Sequence, residues 1–414
     1  MEFFKTITIR SIDLLIQTTI ILLTARYYGA DGRGYIAAGV SIASIIGGAG
    51  GLSLGKVAIR ILTKRDLDIA TFFREKFATL MLLALVLAIV SVCVATALYV
   101  LTPSFFGGLP RNITLIFIVL IPYYVWITYS TYLFSIGNKI LIHNKIIIYF
   151  RTFYISGALL LVVILGSPIK YFIVLMAVVF YAQMATEITL LIRIFKPKLS
   201  WDGKAAIDLL ADGGLLHVDT VGGYLLGAAN IVVLNYYLQP QSVGIYQFAL
   251  QMIALLGVIG MVGQLFAFAD IAKYGVDDCW PRYKRIIAVS MAFLIAGAAV
   301  AYFVFPLVLE PLGLEEFEPS VPIFRLLLIA AFGQSLALLM GPQWVGRGLL
   351  KTMAGLTSIT GLGAIILSLY LVPRMGIFGA AYAYFGSYVL AAVANTVFII
   401  YLESRSRQGK REFL

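Results

Sequence analysis

Long apolar runs, separated by short charged or Gly- and Pro-containing stretches, recur along the whole chain. Each run is near or above the roughly 20 residues a helix needs to cross the hydrocarbon core of a bilayer, and the breaks hold turn formers. The pattern predicts helices over residues 7–27, 35–59, 77–101, 113–135, 146–166 and 171–194. A second set falls at 213–236, 244–270, 286–309, 322–342, 353–372 and 377–401. The implied fold class is an all-α integral membrane protein of about twelve transmembrane helices.

Composition removes the alternatives to this picture. The 414 residues are 61% hydrophobic and 12% charged, with mean hydropathy +0.97, whereas a soluble domain is about 45–50% apolar and about 25% charged. A soluble globular enzyme is excluded. The basic start, Met1–Arg10, leads into an apolar run that reaches Arg26 without a small-residue cleavage site, so it reads as a retained first helix.

Lys and Arg outnumber Asp and Glu by 31 to 20. Of these bases, 25 fall at the N-terminus, in the connections after even-numbered helices, or in the C-terminal tail. Five (Arg26, Arg33, Arg111, Lys170 and Arg374) fall on the opposite side. This asymmetry predicts that both termini are cytoplasmic, and it explains the basic charge without a nucleic-acid partner. The longest outer connection, Glu310–Val321, carries four glutamates and no base, and is too short for an outer catalytic domain.

Weak internal similarity accompanies the even span count. Arg26-Tyr27-Tyr28-Gly29 before Gly34-Tyr35 is echoed by Asn235-Tyr236-Tyr237-Leu238 before Gly244-Ile245-Tyr246, and the Tyr-Tyr pairs are 209 residues apart. Gly137-Asn138-Lys139 and Gly346-Arg347-Gly348 share the offset. Six spans per half keep the same orientation, which predicts two parallel lobes, residues 1–200 and 201–414, with a site between them as in parallel-repeat transporters.

The run Ala25-Arg26-Tyr27-Tyr28-Gly29 to Gly34-Tyr35, followed by Gly51-Leu52-Ser53-Leu54-Gly55, resembles the opening of the polysaccharide and O-antigen flippases. These belong to the multidrug, oligosaccharidyl-lipid and polysaccharide exporter superfamily. Val243-Gly244-Ile245-Tyr246-Gln247-Phe248-Ala249 and Gly376-Ile377-Phe378-Gly379-Ala380-Ala381-Tyr382-Ala383 agree with the resemblance. It implies translocation of an undecaprenyl-diphosphate-linked oligosaccharide, such as an O-antigen repeat unit, to the outer leaflet of a bacterial inner membrane. The implied partners are this lipid-linked substrate, the phospholipid bilayer, and the polymerase and chain-length machinery of lipopolysaccharide biosynthesis. Asn230 stands where many relatives carry an acid, and Leu265-Phe266-Ala267-Phe268 lacks a proline common there.

Ionisable residues at membrane depth cost about 2.5–3.5 kcal/mol on insertion scales, so they mark cavities or partners. Arg10, Asp13 and Gln17 share one face of the first helix, and Lys56 and Arg60 are one turn apart in the second. Arg10, Lys56, Arg60 and Arg151 are candidate diphosphate ligands, since guanidinium and ammonium groups suit phosphate oxygens. An Arg10–Asp13 pair and snorkelling of Lys56 and Arg60 stand beside that reading. Residues 220–269 hold no charge, which makes Asp219, Asn230, Gln247 and Gln251 candidates for sugar hydroxyls or for hydrogen bonds between helices. Asp13 and Glu187 are candidates for ion coupling.

The glycines from Gly47 to Gly55 follow no strand, so they read as helix packing or flexing and not as a nucleotide loop. Tyr123, Tyr124, Trp126, Tyr129 and Tyr132 read chiefly as anchoring and packing residues. His143 is assigned to a cytoplasmic loop. Cys93 and Cys279 form no C-x-x-C motif and no Cys/His/carboxylate set has metal-ligand spacing, so neither metal nor cofactor is expected. A drug exporter of the same superfamily and a membrane glycosyltransferase, polymerase or ligase are the rival functions.

Overall fold

The structure, a computed structural model, describes residues 2–65, 68–198 and 201–411. Side chains are described from Ile12 to Ser404, except at 60, 61, 63–67, 199, 200, 208, 212, 215, 216 and 272. All regular structure among these residues is helical.

Glu2–Gly50 is two helices, residues 2–28 (α1) and 30–50 (α2), because Gly29 adopts φ 64° and ψ −169°, a conformation open to glycine and strained for other residues. Leu52 and Ser53, with φ of 49° and 54°, bend the chain before Leu54–Arg65 completes the second crossing. The short helix Ile69–Glu75 follows, capped by the Asp68 carboxylate, which accepts from the Thr71 N–H at 2.9 Å.

The remaining elements of the first half are α3 (Phe77–Leu101), α4 (Arg111–Ile136), α5 (Ile140–Ala158, extended by a π turn at Leu159–Ile164) and α6 (Ile169–Phe195). Then come α7 (Gly203–Tyr237), α8 (Pro240–Tyr274), α9 (Trp280–Leu309), α10 (Ser320–Gly346), α11 (Leu350–Met375) and α12 (Ile377–Arg411). Eleven described helices are long and apolar enough to cross a membrane, and the first of them, Ile12–Ile59, contains the Gly29 break and makes two crossings. The twelve crossings predicted from hydropathy are present. Helix ends differ: α7 starts at Gly203, not 213, and α5 at Ile140, not 146. Hydropathy marks the hydrocarbon-embedded part of a helix, and these helices continue beyond it.

The chain forms two compact units, Met1–Tyr224 with Asn235–Gly244, and Leu225–Leu234 with Ile245–Leu414. In the first unit, contacts fix helix direction. Asp13 lies beside Arg151 and the Tyr28 hydroxyl donates to the Ser167 carbonyl at 3.0 Å, so α1 runs parallel to α5. Glycines 39, 47 and 55 abut Phe117, Tyr124 and Tyr132 in turn, so α2 runs parallel to α4. The basic connections meet at one end, where Phe73 stacks on Phe195 at 3.7 Å and Lys76 pairs with Asp202. The hydrogen bond from Lys76 holds the Asp202 carboxyl below its ordinary range.

In the second unit, one end is tied by Arg347 to Asp277 at 2.8 Å and by Trp280 and Lys284 to Glu403 at 3.1 and 2.8 Å. Trp344 stacks on Phe398 at 3.7 Å in the aromatic core just inside that end. At the opposite end Phe248 packs on Phe317 in the acidic connection.

The internal repeat has a geometric counterpart. After α4, the N–H groups of Gly137, Asn138 and Lys139 donate to the carbonyls of Leu133, Ser135 and Phe134. After α10, Arg347, Gly348 and Leu349 donate to Gln343, Val345 and Trp344 in the same pattern. The left-handed residues of these turns, Asn138 and Gly348, are 210 apart, as are Gly166 and Gly376 at later turns. Gly34 and Gly244 carry the same offset and lie against one another. A Cβ on Gly34 would stand 1.9 Å from the Pro240 carbonyl oxygen, and one on Gly244 1.9 Å from that of Ala30.

Neither site has a flexible side chain that could yield. Gly34→Ala and Gly244→Ala should each destabilise the fold by about 1–3 kcal/mol or more, read as a lowered thermal midpoint in detergent. Gly355→Ala, where a Cβ meets open space, should not.

Candidate functional site: a polar wall in the first unit

Two charged groups on separate helices meet near the N-terminal end of α1. Asp13 and Gln17 are one helical turn apart, and the Gln17 amide donates to the Asp13 carboxylate at 2.8 Å. The other carboxylate oxygen faces Arg151 Nε of α5 at 3.3 Å. The Arg151 guanidinium also lies over the Phe180 ring, 5.6 Å from its centroid. Asp13 thus pairs with Arg151; the side chain of its expected partner, Arg10, lies outside the described residues, as does that of Arg60.

The bend at Leu52–Ser53 creates a second meeting point. Lys56 contacts Asp219 at 3.3 Å and donates to the Thr220 hydroxyl at 2.9 Å, while Ser53 lies 3.4 Å from His217 Nδ1. Lys56 and Asp219, read from sequence as ligands for different parts of a substrate, are partners of one another. Their side chains stay 29% and 20% exposed, so the pair is accessible to solvent and to a ligand.

Half-buried tyrosines connect the two pairs. Tyr224 lies against Gly48, where a Cβ would be 2.2 Å from the ring, and Tyr132 lies against Gly55. Tyr124, against Gly47, is within electrostatic reach of both Arg151 and Tyr224. Tyr132 is within reach of Asp219 and Tyr224. Phenols therefore lie between the two charged pairs, and the glycines let the helices approach closely enough to bring them there.

A drier cluster lies between α4, α5 and α6. Glu187, 1% exposed, accepts from Trp126 Nε1 at 2.7 Å and from the Gln183 amide at 2.9 Å, and faces His143 Nε2 at 3.4 Å. His143 stacks on Phe134 at 5.0 Å. It is a buried helical residue, not a loop histidine, because α5 begins at Ile140. His143 Nδ1 and both amide atoms of the adjacent Asn144 have no hydrogen-bond partner among the described residues. Arg33, assigned to an outer loop, is likewise buried, with Nη1 donating to Thr24 at 3.0 Å across the Gly29 break.

In the second unit Asn230 is interior. Its amide oxygen accepts from the Ser368 hydroxyl at 2.5 Å and its nitrogen reaches the Ala380 carbonyl at 3.5 Å. Gln247 and Gln251 are half-buried, and Gln247 Oε1 has no hydrogen-bond partner among the described residues. The described residues contain no group of three His, Cys, Asp or Glu that could hold a metal.

Solved structures match this arrangement over nearly the whole chain. Lipid II flippase MurJ in an inward closed conformation aligns with TM-score 0.73 at 15% identity, covering 97% of this chain and 90% of that one. An inward-facing multidrug resistance MATE family transporter of the MOP superfamily aligns with TM-score 0.67 at 15% identity, covering 96% and 99%. A MOP superfamily transporter from Pyrococcus furiosus, described as having a binding pocket of reversed polarity, aligns with TM-score 0.64 at 15% identity, covering 97% and 96%. The chain has the fold of MOP superfamily transporters. No family model and no curated protein matches the sequence.

Within that fold, the Glu187 cluster offers a direct test of the geometry. Trp126→Phe removes a donor from a buried carboxylate and should cost about 1–3 kcal/mol. Thermal unfolding should show that loss, whereas Trp201→Phe, at an exposed position, should leave the midpoint unchanged.

Proposed function

We propose that the protein is a flippase for an undecaprenyl-diphosphate-linked oligosaccharide of the O-antigen or surface-polysaccharide type. It would move the headgroup from the cytoplasmic to the outer leaflet of a bacterial inner membrane by rocking two lobes, residues 1–200 and 201–414, with both termini cytoplasmic. The observation that carries this reading is the polar wall, on which Arg151 and Lys56 each rest against one carboxylate while remaining partly exposed.

A diphosphate competes for both cations. The Arg151 guanidinium presents a planar fork suited to phosphate oxygens, and replacing Asp13 by phosphate exchanges one anion for another without leaving the cation unpaired. Asp13 and Glu187 are the acids of the proposed ion coupling. Arg10 and Arg60 extend the basic approach, while Asp219, Asn230, Gln247 and Gln251 supply donors and acceptors for the glycan. An inside-negative potential favours export of an anionic headgroup by about 2.3 kcal/mol per charge per 100 mV.

Protein reconstituted into vesicles with labelled lipid-diphosphate oligosaccharide should expose the label at the opposite leaflet. Arg151→Gln and Lys56→Gln should each slow exposure at least about tenfold, the equivalent of about 1.4 kcal/mol, with normal insertion. Unchanged rates in both variants would reject the assignment of the phosphate ligands. Drug efflux without lipid exposure would favour the exporter, and a new glycosidic bond the transferase.

A further inference from the structure

The second unit has an elongated groove of about 790 Å³ between α8 and α9. Val262 and Phe266 form one wall, and Val289 and Phe293 the other. Phe266, Val289 and Phe293 are exposed, and in a membrane their surroundings are hydrocarbon. At one end the lining becomes polar, with Asp270 and Tyr274 from α8 and Arg282 and Arg285 from α9.

The groove has the depth of one leaflet. From Val258 to Tyr274 along α8 is about 24 Å, and from Arg282 to Phe293 along α9 about 17 Å, at 1.5 Å per residue. Half of a bilayer measures about 15 Å of hydrocarbon and about 20–22 Å with its headgroup region. The polar end lies at the α8–α9 connection, the end of the unit that also holds Arg347 and Lys284. Tyr274 stands there as interfacial aromatics do.

Electrostatics at the groove mouth favour an anion. Arg282 lies over the Tyr274 ring at 4.7 Å and Lys273 at 4.9 Å. Lys273 and then Arg282 draw the Tyr274 hydroxyl below its ordinary range. Lys284, on the same turn of α9, is engaged by Glu403 at 2.8 Å. Arg282 and Arg285, three residues apart on one helical face, line the groove instead. Asp270 is the one carboxylate among the described lining residues, against the two guanidinium groups of Arg282 and Arg285.

We propose that this groove binds a phospholipid with an anionic headgroup. The phosphate diester sits on Arg282 and Arg285, and one acyl chain lies along Val262, Phe266, Val289 and Phe293. Length separates this occupant from the transported lipid of the preceding section, because an undecaprenyl chain is far longer than one leaflet is deep. The site lies wholly in the second unit, remote in sequence from Lys56 and Arg151.

The full-length protein, equilibrated with equal amounts of phosphatidylglycerol and phosphatidylcholine and released into native mass spectrometry, should retain the anionic lipid at least about fivefold over the zwitterionic one. Arg282→Gln with Arg285→Gln should remove the preference, whereas Lys284→Gln on the same turn should preserve it. Val289→Trp should reduce retention of both lipids by filling the groove. Phe293→Trp should gain a fluorescence component quenched by brominated phosphatidylglycerol more than by brominated phosphatidylcholine, locating the chain in the folded protein. Equal retention by the unaltered protein, a preference that survives the double substitution, or equal loss in Lys284→Gln would each overturn the proposal. Displacement of phosphatidylglycerol by an equal amount of undecaprenyl phosphate would replace the occupant and overturn it too.

Discussion

An ionised side chain in hydrocarbon must face a partner or water, since its cost there, about 2.5–3.5 kcal/mol on insertion scales, is a sizeable share of any protein's net stability. In the first unit that constraint sets helix against helix. Asp13 of α1 requires Arg151 of α5, and Lys56 beyond the α2 bend requires Asp219 of α7. Glu187 of α6 requires Trp126 of α4 and His143 of α5. Each pair fixes rotation and depth for two helices together, which nondirectional apolar packing does not do. The more accessible pairs are also the ones assigned to the proposed diphosphate, so one constraint shapes both the packing and the candidate site.

Close approach of the helices is the second requirement, and glycine supplies it. Gly48 admits the Tyr224 ring, Gly47 and Gly55 admit Tyr124 and Tyr132, and Gly34 and Gly244 bring backbone against backbone. In lipid there is little hydrophobic gain from helix association, so van der Waals contact at small residues carries more of it. The irregular backbone at Leu52–Ser53 persists in this setting because neighbouring groups occupy it, with the Tyr129 hydroxyl donating to the Gly51 carbonyl at 2.6 Å.

Twelve crossings were legible because the length of an apolar run is a one-dimensional quantity set by bilayer thickness. The packing role of the Gly47–Gly55 run was legible for a similar reason, since small residues on a membrane helix have few other uses. Pairing was not legible. Asp13 and Arg151 are 138 residues apart, and hydropathy carries no information on how two helices are rotated towards each other. The local spacing of Arg10 and Asp13 pointed to a neighbour on the same helix, whereas the described partner comes from α5. Charge at His143 and Arg33 suggests the end of a helix in sequence; each instead lies inside one, matched by Glu187 and Thr24.

The repeat brings out an asymmetry of charge. Turns 210 residues apart share hydrogen-bond pattern and backbone conformation, so that offset can be applied to the charged positions. Asp13, Lys56, His143, Arg151 and Glu187 correspond to Gly223, Phe266, Met353, Gly361 and Val397, none of which is ionisable. Where the first half joins α4 to α6 through Trp126 and an acid, the second joins α10 to α12 through Trp344 and the amide of Asn395, at 2.9 Å. An amide needs no counter-charge and holds no proton in exchange. The second unit is tied instead by its own ion pairs, Arg347 with Asp277 and Lys284 with Glu403. The Asp13–Arg151 and His143–Glu187 pairs thus lie within the first half, whereas Lys56 draws its partner Asp219 from the second, and the place of Lys56 in the repeat is taken by Phe266, in the wall of the groove between α8 and α9.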